Sequence, residues 1–223
     1  MRHLLQSCLL GLCAVLATSA HADIVIGHVL PLSGADAAAG EQMRLGAKAY
    51  IDQANAMGGV GGQRLVYVAS DDAGQSARTV ARARELIIRD HAVGLLAGTS
   101  LANINALTQS GLPRKYQVPV VGATAGAGDM GAMTRARQVG LVAVPQQPTQ
   151  ALMEEFKQAM ARNGLPGGQP TDLALQGYIA AKVMVGGLRL FGDELAQSEF
   201  YFLMRNMVPD LSSHLMRRSD VPA

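Results

Sequence analysis

The stretch that decides the fold is IVIGHVLPLSGAD, residues 24–36, in which a short apolar run stops at a Pro-Leu-Ser-Gly turn. Three further apolar runs follow at intervals, at residues 64–69, 93–97 and 118–123. Short runs that are rich in β-branched residues and bounded by Gly, Ser or Asp are typical of strands buried on both faces. The first half of the chain therefore predicts four such strands, the first of them over residues 24–30.

Helical patterns fill the segments between these runs. Apolar residues at three- and four-residue steps predict helices over 41–57 and 76–89, with Ser76 as the N-cap of the second, and a third from residue 101 to about 110. Strands that alternate with helices form a parallel sheet covered on both faces. The predicted fold class is therefore α/β, an open parallel sheet with helices on both faces. The side chains predicted to face the core are Met43, Ala47, Tyr50, Ala54 and Met57 in the first helix and Val80, Ala83 and Ile87 in the second.

The second half of the chain adds three predicted elements. Residues 138–144 predict a fifth strand, and residues 149–163 predict a helix. Residues 171–190 predict a long apolar helix that is capped by Thr171 or Asp172. The Met-rich remainder shows no period from which a structure is predicted. The residues predicted to face the core in the 149–163 helix are Leu152, Phe156, Ala159 and Met160.

The N-terminus has the layout of a secretory signal peptide. A basic start at Arg2 and His3 precedes an apolar run over residues 4–16, and the small residues Ala20 and Ala22 predict cleavage after Ala22. A membrane anchor is the alternative, but the run is shorter than the roughly 20 apolar residues that span a bilayer. We therefore expect a periplasmic protein. The only cysteines, Cys8 and Cys13, leave with the leader, so the mature chain has no thiol and no disulfide.

Composition argues against several classes of function. After loss of Arg2 the mature chain carries 18 basic and 17 acidic residues without a basic cluster, so nucleic acid is not expected as a partner. The glycine-rich segment 58–62 resembles a phosphate loop, but it follows a helix and precedes a strand, which predicts a turn. A nucleotide-using α/β enzyme would need such a loop after the first strand, where Ser33-Gly34-Ala35-Asp36 is a poor match. The sequence offers no catalytic constellation or metal-ligand spacing, and we expect neither an enzyme nor a cofactor.

The loops that follow the strands predict a binding site, because ligands of open parallel sheets lie beyond the carboxyl ends of the strands. Gly98-Thr99-Ser100 leads directly into a helix, whose free N–H groups and positive dipole end suit a carboxylate. The alternative is that Ser100 only caps its own helix. Asp71 and Asp72 lack a third metal ligand and are predicted to cap a loop. The predicted ligand-binding residues are Thr99, Ser100, Gly122, Ala123 and Thr124.

These motifs together resemble the leucine/isoleucine/valine-binding proteins, the solute receptors of ABC importers. The resemblance rests on the first strand with its Pro-Leu-Ser-Gly turn, on Asn-Ala-Met-Gly-Gly-Val at 55–60, on the aspartates at 71–72, and on segments 98–100 and 118–124. It implies the type I periplasmic-binding fold, a branched-chain amino acid or related amide as ligand, and an ABC permease as partner. In that family the loop matching Thr99-Ser100 holds the amino acid's carboxylate, and the loop matching 122–124 helps to hold its amino and carboxylate groups. The resemblance also implies Ser33, in the matching first loop, as a weaker candidate.

After about residue 127 the resemblance skips most of the family's second lobe. It implies a first lobe over 23–127, a remnant of the second lobe and crossover over 128–168, a closing helix over 169–190, and an atypical tail over 191–223. Receptors of this class bury their ligand by closing two lobes, so we expect weak or no binding by the isolated chain. The alternatives are a sensing or scaffold module that pairs with another chain, self-association through the exposed lobe face, or a non-functional truncated copy.

Overall fold

The structure is a computed structural model, and it describes residues 22–98, 100–122, 141–143, 148–162, 171–191 and 196–215. The predicted signal peptide, apart from Ala22, lies outside these residues. Among the helices that are described, none is both long and apolar enough to cross a membrane.

The strands form one parallel sheet in the order β2-β1-β3-β4-β5. The chain leaves β1 toward one edge of the sheet and returns past it toward the other, so the strand order reverses between β1 and β3, the position at which open parallel sheets generally bind ligands. All five predicted strands are present: the second ends two residues later than predicted, the third and fourth are shorter, and the fifth is described over 141–143 of the predicted 138–144. The strands are β1 (Ile24–Leu30), β2 (Leu65–Asp71), β3 (Gly94–Ala97), β4 (Val120–Gly122) and β5 (Leu141–Ala143).

The helices alternate with the strands in the first half and then follow one another. The third predicted helix ends before Pro113, as expected, and Pro113 lies in a separate short helix, α4 (Leu112–Tyr116). A further helix, α7 (Gln197–Leu215), occupies the tail for which no structure was predicted. The helices are α1 (Ala37–Ala56), α2 (Ser76–Ile88), α3 (Leu101–Gln109), α4 (Leu112–Tyr116), α5 (Gln150–Arg162), α6 (Asp172–Phe191) and α7 (Gln197–Leu215).

Three details of the helix ends differ from the sequence predictions. Helix α1 begins at Ala37, earlier than residue 41, because the alanines of its first turn favour helix without adding an apolar period. Met57 was predicted to face the core, but the helix ends at Ala56 and Met57 is 40% exposed. The N-cap of α2 is Gln75, since the hydroxyl of Ser76 donates to Asn103 instead of capping its own helix.

Helices cover both faces of the sheet, as predicted. One core is formed by α1, α5, α6 and α7 against strand residues such as Ile26 and Leu96. The other is formed by α2 and α3 against Val29 and Leu95. Successive residues of a strand point to opposite faces, which is why neighbouring residues such as Leu95 and Leu96 belong to different cores. The α/β sandwich is therefore built as the sequence predicted.

Helices α1 and α6 touch along their backbones. A Cβ atom at Gly46 would lie 1.7 Å from the carbonyl oxygen of Ala174, and one at Gly177 would lie 2.0 Å from that of Met43. Thr171 caps α6 by accepting a hydrogen bond from the N–H of Ala174 at 3.1 Å, as predicted. The glycines therefore allow α6 to lie directly on α1.

A buried ion pair joins α5 to this helix pair. The Lys182 ammonium donates to both carboxylate oxygens of Glu155 at 2.9 and 2.8 Å, and both side chains are almost fully buried. The Tyr178 hydroxyl also donates to Glu155, at 2.7 Å, and the Gln53 amide does so at 3.2 Å. The carboxylate thus receives hydrogen bonds from both α1 and α6.

The glycine-rich segment after α1 is a turn, as predicted. Gly58, Gly59, Gly61 and Gly62 all adopt positive φ angles, and Val60 pairs with Gln63 across the turn. Positive φ is a conformation that glycine adopts without steric cost. The segment therefore reverses the chain into β2.

Candidate ligand site at the carboxyl ends of the strands

The first strand-end loop is held by Asp71, the last residue of β2. One oxygen of the Asp71 carboxylate accepts hydrogen bonds from the N–H groups of Leu32, Ser33 and Ala73 at 2.8, 3.2 and 2.9 Å. The other oxygen accepts from the Ser33 hydroxyl at 2.6 Å. The Ser33 hydroxyl bond, followed by the backbone bonds, lowers the pKa of Asp71 to about 2. The loop after β1 is therefore fixed to the end of β2.

The hydrogen bond from the Ser33 hydroxyl to Asp71 limits what Ser33 can offer a ligand. A serine hydroxyl has one proton to donate, and here that proton is directed to Asp71. Its oxygen can still accept a hydrogen bond, so Ser33 suits an ammonium or amide N–H group better than a carboxylate. The negative charge of the adjacent Asp71 carboxylate also favours an ammonium or amide N–H group over a carboxylate at this position.

The next residue, Asp72, connects the end of β2 to two helices. Its buried carboxylate accepts hydrogen bonds from the N–H of Gly74 at 2.8 Å, from the Thr79 hydroxyl at 2.7 Å and from the Asn103 amide at 3.2 Å. The Asn103 carbonyl in turn accepts from the Ser76 hydroxyl at 2.8 Å. These bonds connect the end of β2 with the first turns of α2 and α3.

The two aspartates have separate tasks because adjacent residues at a strand end point in opposite directions. Asp71 holds the loop that leads to α1, and Asp72 holds the start of α3. The loop-capping role that the sequence predicted for them is therefore confirmed by their hydrogen bonds. Among the residues that the structure describes, no group of three or more His, Cys, Asp or Glu side chains could hold a metal ion.

The third strand-end loop runs from β3 into α3. A Cβ atom at Gly98 would lie 2.8 Å from the Val29 carbonyl oxygen, so only glycine fits beside β1 at this point. Ser100 is the N-cap of α3, and its hydroxyl accepts from the N–H of Asn103 at 3.4 Å. This contact leaves the hydroxyl proton to donate, and a helix start also presents unpaired N–H groups. Ser100 can therefore cap its helix and donate to a ligand at the same time.

The end of β4 lies beside this loop. A Cβ atom at Gly122 would lie 2.6 Å from the Cβ of Ala97, which shows how closely the ends of β3 and β4 approach. Of the predicted ligand-binding residues, the structure thus brings Ser33, Ser100 and Gly122 to one edge of the sheet. Thr99, Ala123 and Thr124 lie outside the described residues.

The sequence prediction missed Asn103, which links Asp72 to the N-terminus of α3. Asn103 stands three residues after the capping Ser100 and is buried, with 5% exposure. Buried polar side chains are nearly always hydrogen-bonded. A polar residue on the inner side of a predicted helix start was the one signal that could have indicated this role.

Comparison with known proteins identifies the family. The sequence model described as "Periplasmic binding protein" matches residues 23–135, which contain every described part of the strand-end site. The chain belongs to the periplasmic binding protein family. The predicted family resemblance is therefore confirmed.

A relative of this periplasmic binding protein is the Leu/Ile/Val-binding protein BraC3 of Rhizobium johnstonii. It is 34% identical over 99 residues, which cover 43% of this chain and 27% of that protein. The chain thus spans about a quarter of the length of this relative, and its other matched relatives are covered to a similar extent.

Solved structures of low sequence identity share the fold. The branched-chain amino acid transporter substrate binding protein LivJ from Streptococcus pneumoniae, in complex with isoleucine, has a TM-score of 0.63 at 13% identity, covering 82% of this chain and 88% of that one. A solute binding protein from R. palustris, in complex with benzoate, has a TM-score of 0.60 at 14% identity, covering 82% and 85%. The parallel sheet of this periplasmic binding protein therefore has the type I fold.

Proposed function

We propose that this chain is the solute-binding component of an ABC importer and holds a branched-chain amino acid, or a related small amide, at the carboxyl ends of β1, β3 and β4. The observation that carries the proposal is the turn from Gly98 to the N-terminus of α3, where Ser100 keeps a hydroxyl proton beside free helix N–H groups. A carboxylate is the ligand group that such donors favour.

The two ends of an amino acid would meet different groups in this site. Ser100, the N–H groups at the start of α3, and the neighbouring Thr99, Ala123 and Thr124 would donate to the carboxylate. The hydroxyl oxygen of Ser33, which donates its own proton to a carboxylate oxygen of Asp71 at 2.6 Å, would accept a hydrogen bond from the ammonium group. The isoleucine and benzoate bound by the two structural relatives both carry a carboxylate, which supports a carboxylate as the ligand group.

We further propose that most of the second lobe of the family is absent from this chain and that binding is weak. Strands β4 and β5 are neighbours in the sheet, and only residues 123–140 link them. Hydrogen bonds that stay open to water contribute about 1 kcal/mol each, so four of them correspond to a Kd near 1 mM. The lobe boundaries at 127 and 168, which the family resemblance implies, belong to the same proposal.

The proposal is tested by titrating the isotope-labelled mature chain, residues 23–223, with leucine, valine and small amides. We expect saturable shifts of the backbone N–H signals of Gly98, Ser100 and Gly122, with a Kd of order 1 mM. Ser100→Ala should weaken binding, whereas Ser110→Ala, at the other end of the same helix, should leave it unchanged.

Two results would contradict different parts of the proposal. Ligand-induced shifts that avoid the strand ends, or none at all, would remove the carboxylate site. A micromolar Kd in calorimetry would keep the site but contradict the weak binding expected of a single lobe. Partnership with a permease is tested separately, by leucine uptake in cells with and without this chain.

A further inference from the structure

A histidine is built into the sheet beneath the ligand site. His28 lies within β1 and is fully buried. Its Nδ1 atom is 2.7 Å from the hydroxyl oxygen of Tyr67 on β2, and its Nε2 atom is 3.3 Å from the carbonyl oxygen of Ala97 on β3. A chain of hydrogen bonds therefore crosses three neighbouring strands on one face of the sheet.

The partners of His28 determine which nitrogen carries the proton. A carbonyl oxygen can only accept, so Nε2 must hold a proton and donate it to Ala97. In a neutral ring Nδ1 is then bare and accepts the proton of the Tyr67 hydroxyl. Burial lowers the pKa of His28 to about 4 and raises the pKa of the Tyr67 hydroxyl, so both groups keep these forms near neutral pH.

The Ala97 carbonyl stands where the strand turns into the ligand loop. The pairing between β3 and β4 ends at Leu96 and Val121, one residue before Ala97. The Ala97 carbonyl and the Gly98 N–H belong to one rigid, planar peptide unit. Holding the carbonyl therefore also sets the direction of the Gly98 N–H, from which the turn to Ser100 begins.

We propose that His28 is a positioning residue, which in the neutral tautomer that its hydrogen bond to Ala97 requires orients the Ala97–Gly98 peptide and with it the strand-end loop. The alternative is that the imidazole only fills space in the core. Its contact with the Tyr67 ring, edge to face with centroids 5.9 Å apart, would serve either role. The hydrogen bond to Ala97 belongs to the first role alone. The ligand-binding consequence rests on the proposed function, whereas the orientation of the peptide does not.

The first experiment needs no ligand. Nitrogen NMR of the imidazole of the mature chain should show the Nε2–H tautomer at neutral pH, with no titration near pH 6.5. Tyr67→Phe, which removes only the hydroxyl that donates to Nδ1, should shift the His28 Nδ1 signal and leave the proton on Nε2, where the Ala97 carbonyl still accepts it. A ring protonated at Nδ1, or one that titrates like an exposed histidine, would overturn the proposal.

The second experiment separates positioning from packing by two replacements of His28. In His28→Gln the side-chain amide can still donate to Ala97, whereas in His28→Met a similar volume carries no donor. We expect the Gly98 and Ser100 N–H signals to move in the methionine variant and to stay near their wild-type positions in the glutamine variant. Equal shifts in both variants, or none in either, would mean that His28 only fills space.

The third measurement is the affinity for leucine in the same variants. The methionine variant should bind about tenfold more weakly, the effect of one lost orienting hydrogen bond, and the glutamine variant within about threefold of wild type. If the wild type binds no amino acid while the Gly98 signal still follows this pattern, the proposed function fails and the positioning role stands. If binding is normal in all variants, the positioning role is wrong. Should the methionine variant not fold, Tyr67→Phe replaces it: a shift of the Gly98 N–H signal supports positioning through the imidazole, and an unchanged signal means that His28 only fills space.

Discussion

Replacing Glu155 by Gln should destabilise the protein far more than the same exchange at an exposed glutamate. The carboxylate of Glu155 accepts from Lys182, Tyr178 and Gln53, and the side chains of Glu155 and Lys182 are 1% and 0% exposed. Lys182 also lies 5.7 Å from the centroid of the Tyr50 ring. The variant would place the buried ammonium beside a neutral amide whose NH₂ group cannot accept its proton.

The magnitude follows from the burial of this pair. Removing one partner of a buried ion pair costs about 3–5 kcal/mol, because the remaining charge stays in a medium of low polarity. A domain of this size is stable by roughly 5–15 kcal/mol, so the variant would lose a large share of its stability. At about 2–4 °C per kcal/mol, the midpoint of thermal unfolding should fall by roughly 6–20 °C.

Urea unfolding followed by circular dichroism measures this loss. Glu154, the exposed neighbour of Glu155, supplies the control, and Glu154→Gln should change the free energy of unfolding by less than about 0.5 kcal/mol. The double variant Glu155→Leu/Lys182→Met should recover most of the loss, since two apolar side chains leave no buried charge. A loss for Glu155→Gln as small as the control's would refute the placement of α5 against α1 and α6.

Two further predictions concern the loops of the ligand site. In Asp71→Asn the free energy of unfolding should fall by about 1 kcal/mol at pH 7, after allowance for screening by solvent. Because the pKa of Asp71 is lowered from 3.8 to about 2, urea titrations should show this difference from wild type above pH 4 and its loss as pH falls toward 2. In Asn103→Ala the buried Asp72 loses a hydrogen-bond donor, so the free energy of unfolding should fall by about 1–3 kcal/mol and leucine binding should weaken. Unchanged affinity in calorimetry would show that the start of α3 needs no such support.

The first half of the fold could be predicted from the sequence because its signals are local. The strand predicted over residues 24–30 has the same bounds in the structure, since an apolar run between Asp23 and Pro31 marks both of its ends. The start of α1 could not be predicted because the alanines at 37–39 form no polar and apolar pattern that would distinguish a helix from a loop. A stretch of alanines has helix propensity but no amphipathic period.

The interactions that fix the site and the core were not predictable, because their partners are distant in sequence. Glu155 and Lys182 are separated by a whole predicted loop, and Gln53 belongs to the first helix. His28 was predicted to lie in a strand, but nothing in the local pattern indicates that Tyr67 and Ala97 would lie on either side of it. A single sequence shows which side chains are polar; only the topology shows which of them meet.

Three separate sets of hydrogen bonds order the strand ends that form the proposed ligand site. Asp71 fixes the first loop, Asp72 with Asn103 fixes the start of α3, and His28 fixes the end of β3. A site whose loops are already ordered loses little conformational entropy on binding. The weak affinity that we propose would then come from exposure of the ligand to water rather than from disorder of its receptor. Leucine binding should accordingly shift the signals of contacting N–H groups while leaving the hydrogen-exchange protection of the strands and of α3 unchanged. A broad gain of protection on binding would show instead that the loops order only around the ligand.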